Sequence, residues 1–357
     1  MRPLLIPPEF RLLVECCRRA FTADDGGRIE RLTAAVDWNR FVRLARFHRV
    51  QGLAWTALQA GTVAVPDAVA GALSADSREI AAVNLGIAAE AGALRAAFDR
   101  AGIPLLFVKG VTLGALAYPT PMLKMGWDID LLIAEADLAG AAGLLIRHGY
   151  RRTIPEAARD LARWHHRRKE SVWSRPDEHL HVELHTRLSD NCRLIPAIGV
   201  GSPRREVAVA EGIALPTLAR DELFAYLCVH GASSLWFRLK WITDLAALLS
   251  AEPPAEIERL YRRSQELGAG RSAIQALLLA DDLYALLCDS DLGERLERDR
   301  AGRRLADAAL RQLAGNADAR EPTDVRFGTF AIHWTQLLLL PGPGFALGEA
   351  ARQLRGG

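Results

Sequence analysis

The chain has 357 residues, of which half are hydrophobic and a quarter are charged, so its composition is that of a folded globular protein and excludes intrinsic disorder. Its formal net charge of +2 at pH 7 excludes a strong overall field for nucleic acid or an anionic membrane, and such a partner would need a local basic patch. This length allows two domains, or one core with helical additions.

Residues 1–100 have the pattern of a helical region. Apolar residues recur at helical spacing over residues 10–17, after a Pro-Pro pair that suits a helix start. A second helix is predicted over residues 37–58. The alanine-rich stretch 77–100 predicts the longest helix, which Gly102 closes.

The pattern changes at residue 103, where short apolar and extended segments begin. The predicted strands are residues 103–108, 129–133, 150–153, 170–174 and 180–184, the last two flanking a turn at 175–178. Short helices are predicted at 111–118 and 136–148. This order predicts a compact core that combines strands and helices.

The helical period returns from about residue 221, where one helix is predicted, and a second is predicted over 236–249. We therefore expect an α+β fold that is predominantly helical, with a small mixed β-sheet. Its expected parts are an N-terminal helical region (1–100), a core (101–210) and a C-terminal helical domain (211–357).

The five cysteines are scattered, and none forms a CxxC pair. This usage is typical of a reducing compartment, in which cysteines serve as small buried residues. The N-terminus lacks the apolar segment of a signal peptide, and the longest apolar run near the end, around 336–340, is too short to span a bilayer. We expect a cytoplasmic protein with no membrane partner.

Asp128 and Asp130 lie two residues apart on a predicted strand, so both carboxylates share one face and Ile129 points to the other. Two like charges on an apolar strand need a cation or solvent to compensate them. Carboxylates at this spacing can hold metal ions about 3.5–4 Å apart. A strand end that emerges into solvent would produce the same DxD pattern.

Lys109 and Gly110 follow the first predicted strand and precede a helix. Glycine lets the backbone approach a phosphate, and a lysine there can neutralise a triphosphate. An ordinary strand-to-helix turn is the alternative interpretation.

The segment HVELH places His181, Glu183 and His185 on one strand face. A glutamate beside Asp128 and Asp130 would complete a three-carboxylate site for Mg²⁺. Zinc is the competing interpretation, because histidine nitrogens are zinc ligands. A solvated edge is expected for three further histidines, namely His165, His166 and His179.

Together, the glycine after a strand, the DxD strand and the later strand acid resemble the DNA polymerase β-like nucleotidyltransferase superfamily. Over about residues 35–250 the chain is more closely similar to a bacterial family of uncharacterised nucleotidyltransferases. The similar segments are DWNRFVRLARFHRVQGL, LLFVKGVTLGALAYPTP, KMGWDIDLLIAEADLAGAAGLLIRHGY, HVELH and LCVHGASSLWFRLKWITDLAALL.

The resemblance implies a two-metal enzyme that moves a nucleoside monophosphate from a nucleoside triphosphate to a hydroxyl group and releases pyrophosphate. It implies Asp128, Asp130 and Glu183 as the catalytic, metal-binding acids and Lys109-Gly110 as the phosphate turn. Mg²⁺ is the expected metal, with Mn²⁺ as the alternative, and ATP is the expected donor.

Two departures from the resembled pattern concern the donor phosphates. Val111 stands where the superfamily often has serine, and Lys124 stands where the close family has arginine, which keeps the charge but loses bidentate geometry. Arg238 and Lys240, on the helix predicted from residue 236, would contact phosphate, with a tryptophan near the base. An amphipathic helix with core tryptophans and an ion pair explains that segment equally well.

A small molecule or a peptide is the expected acceptor. A toxin-type transferase that acts on tRNA or protein is one alternative, and its basic surface would come from the run Arg163, Arg167, Arg168 and Lys169. A non-catalytic nucleotide-binding module is the other alternative. The retained Asp128, Asp130 and Glu183 argue against it.

Overall fold

The computed structural model of the protein describes residues 6–22, 27–61, 63–175, 180–287, 290–315 and 330–355. Residues 176–178 of the predicted turn, His179 and Cys288 lie outside these ranges. The described chain is α+β and predominantly helical with a small mixed sheet, which confirms the predicted fold class.

The helices, in chain order, are α1 (Pro8–Arg18), α2 (Arg28–Leu32), α3 (Trp38–His48), α4 (Gln51–Ala60), α5 (Asp67–Arg100), α6 (Val111–Ala117), α7 (Leu138–Arg147), α8 (Leu161–Arg167), α9 (Arg220–Ser233), α10 (Leu239–Leu249), α11 (Pro254–Glu266), α12 (Arg271–Tyr284), α13 (Asp291–Glu297), α14 (Arg300–Gly315), α15 (Phe330–Gln336) and α16 (Pro343–Arg355). The strands are β1 (Leu106–Phe107), β2 (Asp128–Leu132), β3 (Arg151–Ile154), β4 (Glu170–Arg175), β5 (Leu180–His185), β6 (Arg204–Ala210) and β7 (Ile213–Leu218).

The chain forms two compact units. One is Ile80–Tyr226, and the other joins Met1–Glu79 to Leu227–Arg355. We call the first the sheet unit, because it contains β1 to β7, and the second the helical unit. The predicted division at residues 101 and 211 stays a prediction.

The main sheet has the strand order β1-β2-β5-β4-β3. β2 and β5 are parallel, and the other neighbouring pairs are antiparallel. On one face, Ile129 and Leu131 of β2 and Val182 and Leu184 of β5 are buried in the hydrophobic core of the sheet unit, with Phe98 of α5. Because strand side chains alternate, the polar residues of β2 and β5 occupy the opposite face.

Several elements differ from their predicted limits. The helix predicted over 37–58 is two helices, because Arg49 adopts a left-handed conformation with φ of 59° that ends α3. β1 has two residues rather than six, and Pro104, which has no N–H for a ladder, precedes it. The hairpin of β6 and β7 was not predicted, although alternate residues such as Val207 and Val209 are buried along β6.

Helix α5 begins ten residues before its predicted start and continues through both units. Among the described residues, α5 is the one helix that is long and apolar enough to cross a membrane. Helices in the core of a soluble protein can have the same length and composition. In the sheet unit, Leu94 and Phe98 of α5 are fully buried in the core. Glu90 lies 2.9 Å from the Arg175 guanidinium.

The described cysteines are free thiols. Cys16, Cys17 and Cys228 are buried, and burial raises the pKa of the Cys17 thiol to about 12. Cys192 is exposed, so the expectation that the cysteines are buried is wrong for this residue.

Candidate functional site

The polar face of the sheet is built on the parallel pair β2 and β5. In the register of these strands, Asp130 lies beside Glu183 and Asp128 lies beside His181. The period of a strand places Asp128 and Asp130 on one face, and the parallel pairing adds Glu183 to that face. The three acids predicted from the sequence therefore share one surface of the sheet.

Asp130 is held between the side chains of Lys109 and His185. Its carboxyl oxygen Oδ1 lies 2.7 Å from Lys109 Nζ and 3.2 Å from His185 Nε2, and the side chain is only 2% exposed. Burial alone would raise the pKa of Asp130, but the charges and hydrogen bonds of Lys109 and His185 hold it well below its usual range. Burial lowers the pKa of Lys109, and Asp130 raises it well above the ordinary value. Both groups are charged at neutral pH.

Lys109 reaches Asp130 because β1 runs antiparallel to β2. The amide of Val108 donates to the Asp130 carbonyl at 3.2 Å, which brings the end of β1 against the middle of β2. Thr112 Oγ1 donates to the carbonyl of Lys109 at 2.8 Å and so braces the turn.

Gly110, at the start of α6, has φ of 63° and ψ of −132°, a conformation that only glycine adopts readily. A side chain there would approach the Asp128 carbonyl, at 3.5 Å from its first carbon. Val111, which replaces the serine of the resembled pattern, is buried in the hydrophobic core of the sheet unit. The turn is thus compact and apolar on its inner side.

His185 connects β2 with β4. Its ring is fully buried, and Nε2 lies 3.2 Å from Asp130 Oδ1 and 3.5 Å from Glu183 Oε2. On the other side of the ring, Nδ1 lies 3.2 Å from Glu170 Oε2, because β4 and β5 pair Glu170 with His185. Lys169 Nζ forms an ion pair with the same Glu170 carboxylate.

These contacts shift the pKa values of Glu170, His185 and Glu183. Burial alone would raise the pKa of Glu170, but Lys169 and His185 lower it to about 2. Burial and Lys169 lower the pKa of His185, whereas Glu170 and hydrogen bonds with Asp130 and Glu183 raise it, with a net increase. Burial is also the main cause of the raised pKa of Glu183. Each of these ionisable groups thus contacts the next, in the order Lys109, Asp130, His185, Glu170 and Lys169.

Glu170 and Lys169 were not predicted to belong to the site, and His185 was considered only as a zinc ligand. The alternation in HVELH had already put His185 on the face of Glu183. The turn predicted between residues 170–174 and 180–184 is consistent with the pairing of β4 with β5, but the contact of Glu170 with His185 was not predicted.

One divalent cation fits this arrangement. Asp130, Glu183 and His185 each offer a ligand atom, and these atoms lie within 4.8 Å of one another. Donors on a single ion are roughly 3–4.5 Å apart when each bond is about 2.1–2.3 Å long, so small side-chain movements would suffice. Asp128 is not in this group of three, although it lies on the same face and is partly exposed.

Lys124 is buried in the loop before β2, at 7% exposure. Its carbonyl accepts a hydrogen bond of 2.6 Å from Asn84 Nδ2 of α5, and the same amide donates to the Pro121 carbonyl at 3.0 Å. Asn84 therefore fixes the loop that enters β2. The predicted contact of Lys124 with phosphate stays a prediction.

Arg238 and Lys240 belong to the helical unit. Arg238 is buried there, donates to the Phe47 carbonyl, and has its guanidinium carbon 4.5 Å from the centre of the Phe47 ring. Lys240 lies in the first turn of α10 and is partly buried. Their predicted phosphate contacts stay predictions.

The helix predicted from residue 236 begins at Leu239 instead. Leu235 and Trp236 have positive φ values of 49° and 51°, so they form a turn before the helix. Trp236 is fully buried against Gly231, where an added Cβ would lie 2.4 Å from the indole ring. The prediction that this helix begins at residue 236 is therefore wrong.

The neighbouring histidines have different environments. His166 is exposed as expected, but the expectation of a solvated edge is wrong for His165, which is buried. The ring nitrogens of His165 bond to Thr186 Oγ1 at 3.0 Å and to Ser171 Oγ at 2.9 Å, and burial lowers its pKa to about 4. His181 is exposed, and its Nδ1 lies 2.9 Å from Ser174 Oγ.

A protein-family model described as an uncharacterised nucleotidyltransferase matches residues 34–285, which is well over half of the chain. The matched range contains every residue of the candidate site described above. No curated protein matches the chain at a significant level.

Proposed function

The chain belongs to the uncharacterised nucleotidyltransferase family, and from this membership we propose that it moves a nucleoside monophosphate from a nucleoside triphosphate to an acceptor hydroxyl. The observation that carries the proposal is the alignment of Asp130 with Glu183 on adjacent parallel strands, with Asp128 on the same face. Such a group of acids suits hard divalent cations and their phosphate ligands. ATP is the proposed donor.

In the proposed reaction, the acceptor oxygen forms a bond to the α-phosphorus while the bond from that phosphorus to the β-phosphate oxygen breaks. Pyrophosphate leaves with that oxygen, and the hydroxyl proton passes to the Glu183 carboxylate. Glu183 suits this role because its side chain is 26% exposed, whereas those of Asp130 and His185 are 2% and 0% exposed. A carboxylate that the acceptor can reach is able to take up this proton as a general base.

Asp128, Asp130 and Glu183 would hold Mg²⁺, with Mn²⁺ as the alternative. When bound, such cations neutralise the triphosphate and lower the pKa of the acceptor hydroxyl. The family resemblance favours two cations. The retained acids argue against a non-catalytic binding module.

Lys109 and Gly110 would receive the donor phosphates. The side chain of Lys109 is 14% exposed and its ammonium lies beside Asp130, so a small movement would let it contact a phosphate oxygen. Gly110 has no side chain to keep a phosphate from the backbone of the turn. Catalysis would depend on positioning and on neutralising charge.

A small molecule or a peptide is the proposed acceptor. The basic run that would serve a tRNA acceptor is divided: Arg163 and Arg167 are exposed on α8, but Lys169 is paired with Glu170. The Arg168 guanidinium lies over the Trp164 ring, 5.8 Å from its centre. This arrangement leaves a smaller basic surface than the run suggests, and such surfaces supply most nonspecific affinity for nucleic acid.

The test is incubation of the protein with each α-³²P-labelled nucleoside triphosphate, Mg²⁺ and a host lysate fractionated into small molecules, peptides, RNA and protein. We expect label from ATP in the small-molecule or peptide fraction, and none with Asp128→Asn. Label in RNA or protein would point to the toxin-type alternative. Transfer that survives in Asp128→Asn would contradict the proposed acid site.

A further inference from the structure

The candidate centre contains a buried imidazole to which the proposed reaction assigns no role. His185 is fully buried, and Nε2 points between the carboxylates of Asp130 and Glu183, at 3.2 Å and 3.5 Å. A site for Mg²⁺ needs only oxygen ligands, because Mg²⁺ is a hard cation. A three-carboxylate site therefore leaves this nitrogen only a hydrogen-bonding role towards Asp130 and Glu183.

We propose that His185 is itself a metal ligand, so that Asp130, Glu183 and His185 form a mixed oxygen and nitrogen site for a first-row transition-metal dication such as Mn²⁺. The ligand atoms of these three residues lie within 4.8 Å of one another. This inference rests on the metal-dependent transfer proposed above, and it specifies which cation the centre prefers.

Imidazole nitrogen changes the preference of such a site. Divalent ions of the first transition series bind nitrogen well, whereas Mg²⁺ takes oxygen ligands and keeps several waters. One nitrogen added to two carboxylates therefore strengthens the binding of Mn²⁺ more than that of Mg²⁺. Because His185 and Asp130 are shielded from solvent, this position offers little room for the water shell that Mg²⁺ retains.

The residues around His185 are those expected around a histidine that binds a metal ion. Histidines that bind metals usually present their other ring nitrogen to a carboxylate, which fixes the ring and its tautomer. Here Glu170 Oε2 lies 3.2 Å from Nδ1, and Lys169 holds the Glu170 carboxylate in place. Nε2 is hydrogen-bonded to Asp130 in this structure, so a bound cation would take the place of the proton on Nε2, and the ring would keep its proton on Nδ1, towards Glu170. Glu170 and Lys169 are thus positioning residues that act through His185.

The strand also contains a matched control. His181 is on the same face of β5 as His185, but it lies beside Asp128, it is exposed, and its Nδ1 contacts Ser174 Oγ. The variants His185→Gln and His181→Gln therefore remove the same chemical group from the same strand. Only the first removes a nitrogen from the group of Asp130 and Glu183.

The experiment first measures the binding of Mn²⁺ in the absence of nucleotide by electron paramagnetic resonance. Pulsed electron paramagnetic resonance then detects any hyperfine coupling between the bound Mn²⁺ and nitrogen. We expect ¹⁴N coupling in the wild-type protein and in His181→Gln, and none in His185→Gln. We also expect the Mn²⁺ dissociation constant to rise about tenfold or more in His185→Gln, and that of Mg²⁺, from competition, by less than about threefold.

A measurement on the wild type keeps the test independent of the folding of the variant. Protein labelled with ¹⁵N only at histidine should replace the ¹⁴N signal with a ¹⁵N signal. Any of three results would overturn the inference. They are bound Mn²⁺ without histidine coupling, coupling that persists in His185→Gln, and no binding of Mn²⁺.

These outcomes separate the inference from the proposed function. Nucleotidyl transfer with Mg²⁺ but without histidine coupling to Mn²⁺ would refute the His185 site alone. Histidine coupling in a protein that transfers no nucleotide would leave the metal site standing and refute the proposed reaction.

Discussion

Lys109 Nζ lies 2.7 Å from Asp130 Oδ1, and the two side chains are 14% and 2% exposed. An ion pair this well shielded is costly to break from one side, because the remaining partner keeps a buried charge without compensation. Asp130 is therefore a structural element of the sheet unit as well as a candidate metal ligand. The two aspartates of the DxD strand should respond differently to the same substitution.

Asp130→Asn should lose transfer and also lower the free energy of unfolding by about 3–5 kcal/mol, since it leaves the Lys109 charge unpaired. Asp128→Asn, at a partly exposed position, should lose transfer at a cost in stability under about 1 kcal/mol. Urea unfolding and the labelling assay, run on both variants, measure the two effects. Equal stability of the two variants would show that the ion pair contributes little.

Gly110→Ala should destabilise the sheet unit by about 1–3 kcal/mol, because alanine at φ of 63° and ψ of −132° is strained. The same change at Gly86 is the control. Gly86 is exposed within α5 of the same unit, with open space where a Cβ would lie. There alanine should stabilise by about 0.5–1 kcal/mol. Thermal unfolding of both variants shows whether each substitution raises or lowers stability. A Gly110→Ala variant as stable as the wild type would contradict the strained turn.

His48 of the helical unit should make stability fall in acid. Its Nδ1 accepts a hydrogen bond of 3.2 Å from the Leu239 amide, and burial, with Arg238 nearby, lowers its pKa from 6.5 to about 3. In the unfolded chain His48 is protonated below about pH 6.5, whereas in the folded chain it is protonated only below about pH 3. The free energy of unfolding therefore decreases as the pH falls from 6.5 towards 3.

Between pH 7.5 and pH 5 this residue should contribute a loss of about 2 kcal/mol. The comparison is urea unfolding of the wild type and His48→Gln at both pH values. Glutamine has no proton to gain, so the variant should lose less stability by that amount. An identical loss in both proteins would mean that His48 is protonated in the folded state.

Arg238→Lys should destabilise the helical unit by about 1–3 kcal/mol. The guanidinium carbon lies 4.5 Å from the Phe47 ring centre and 5.0 Å from that of Phe237, and an ammonium cannot reproduce this stacking. Arg43→Lys, exposed on α3, is the control and should unfold like the wild type. Weakened ATP binding at unchanged stability would instead favour the predicted phosphate contact.

The polar face of the site could be predicted because it depends on local geometry. Strand side chains alternate whatever the neighbouring strands are, so Asp128 with Asp130, and Glu183 with His185, had to share a face. The α+β class followed in the same way from where the apolar period changes along the chain. Gly110 was predicted to follow the first strand and precede a helix, and it lies at the start of α6.

The partners of these residues depended on contacts that are distant in the sequence. No local pattern shows that β2 lies parallel to β5, and so that Asp130 meets Glu183 and His185. Lys109 was expected to bind phosphate, and its place beside Asp130 follows from the pairing of β1 with β2. The sequence by itself determined which face each charge occupies, because that depends on backbone period. Only the tertiary structure decided which charges meet, because strand pairing joins segments that the chain order does not place together.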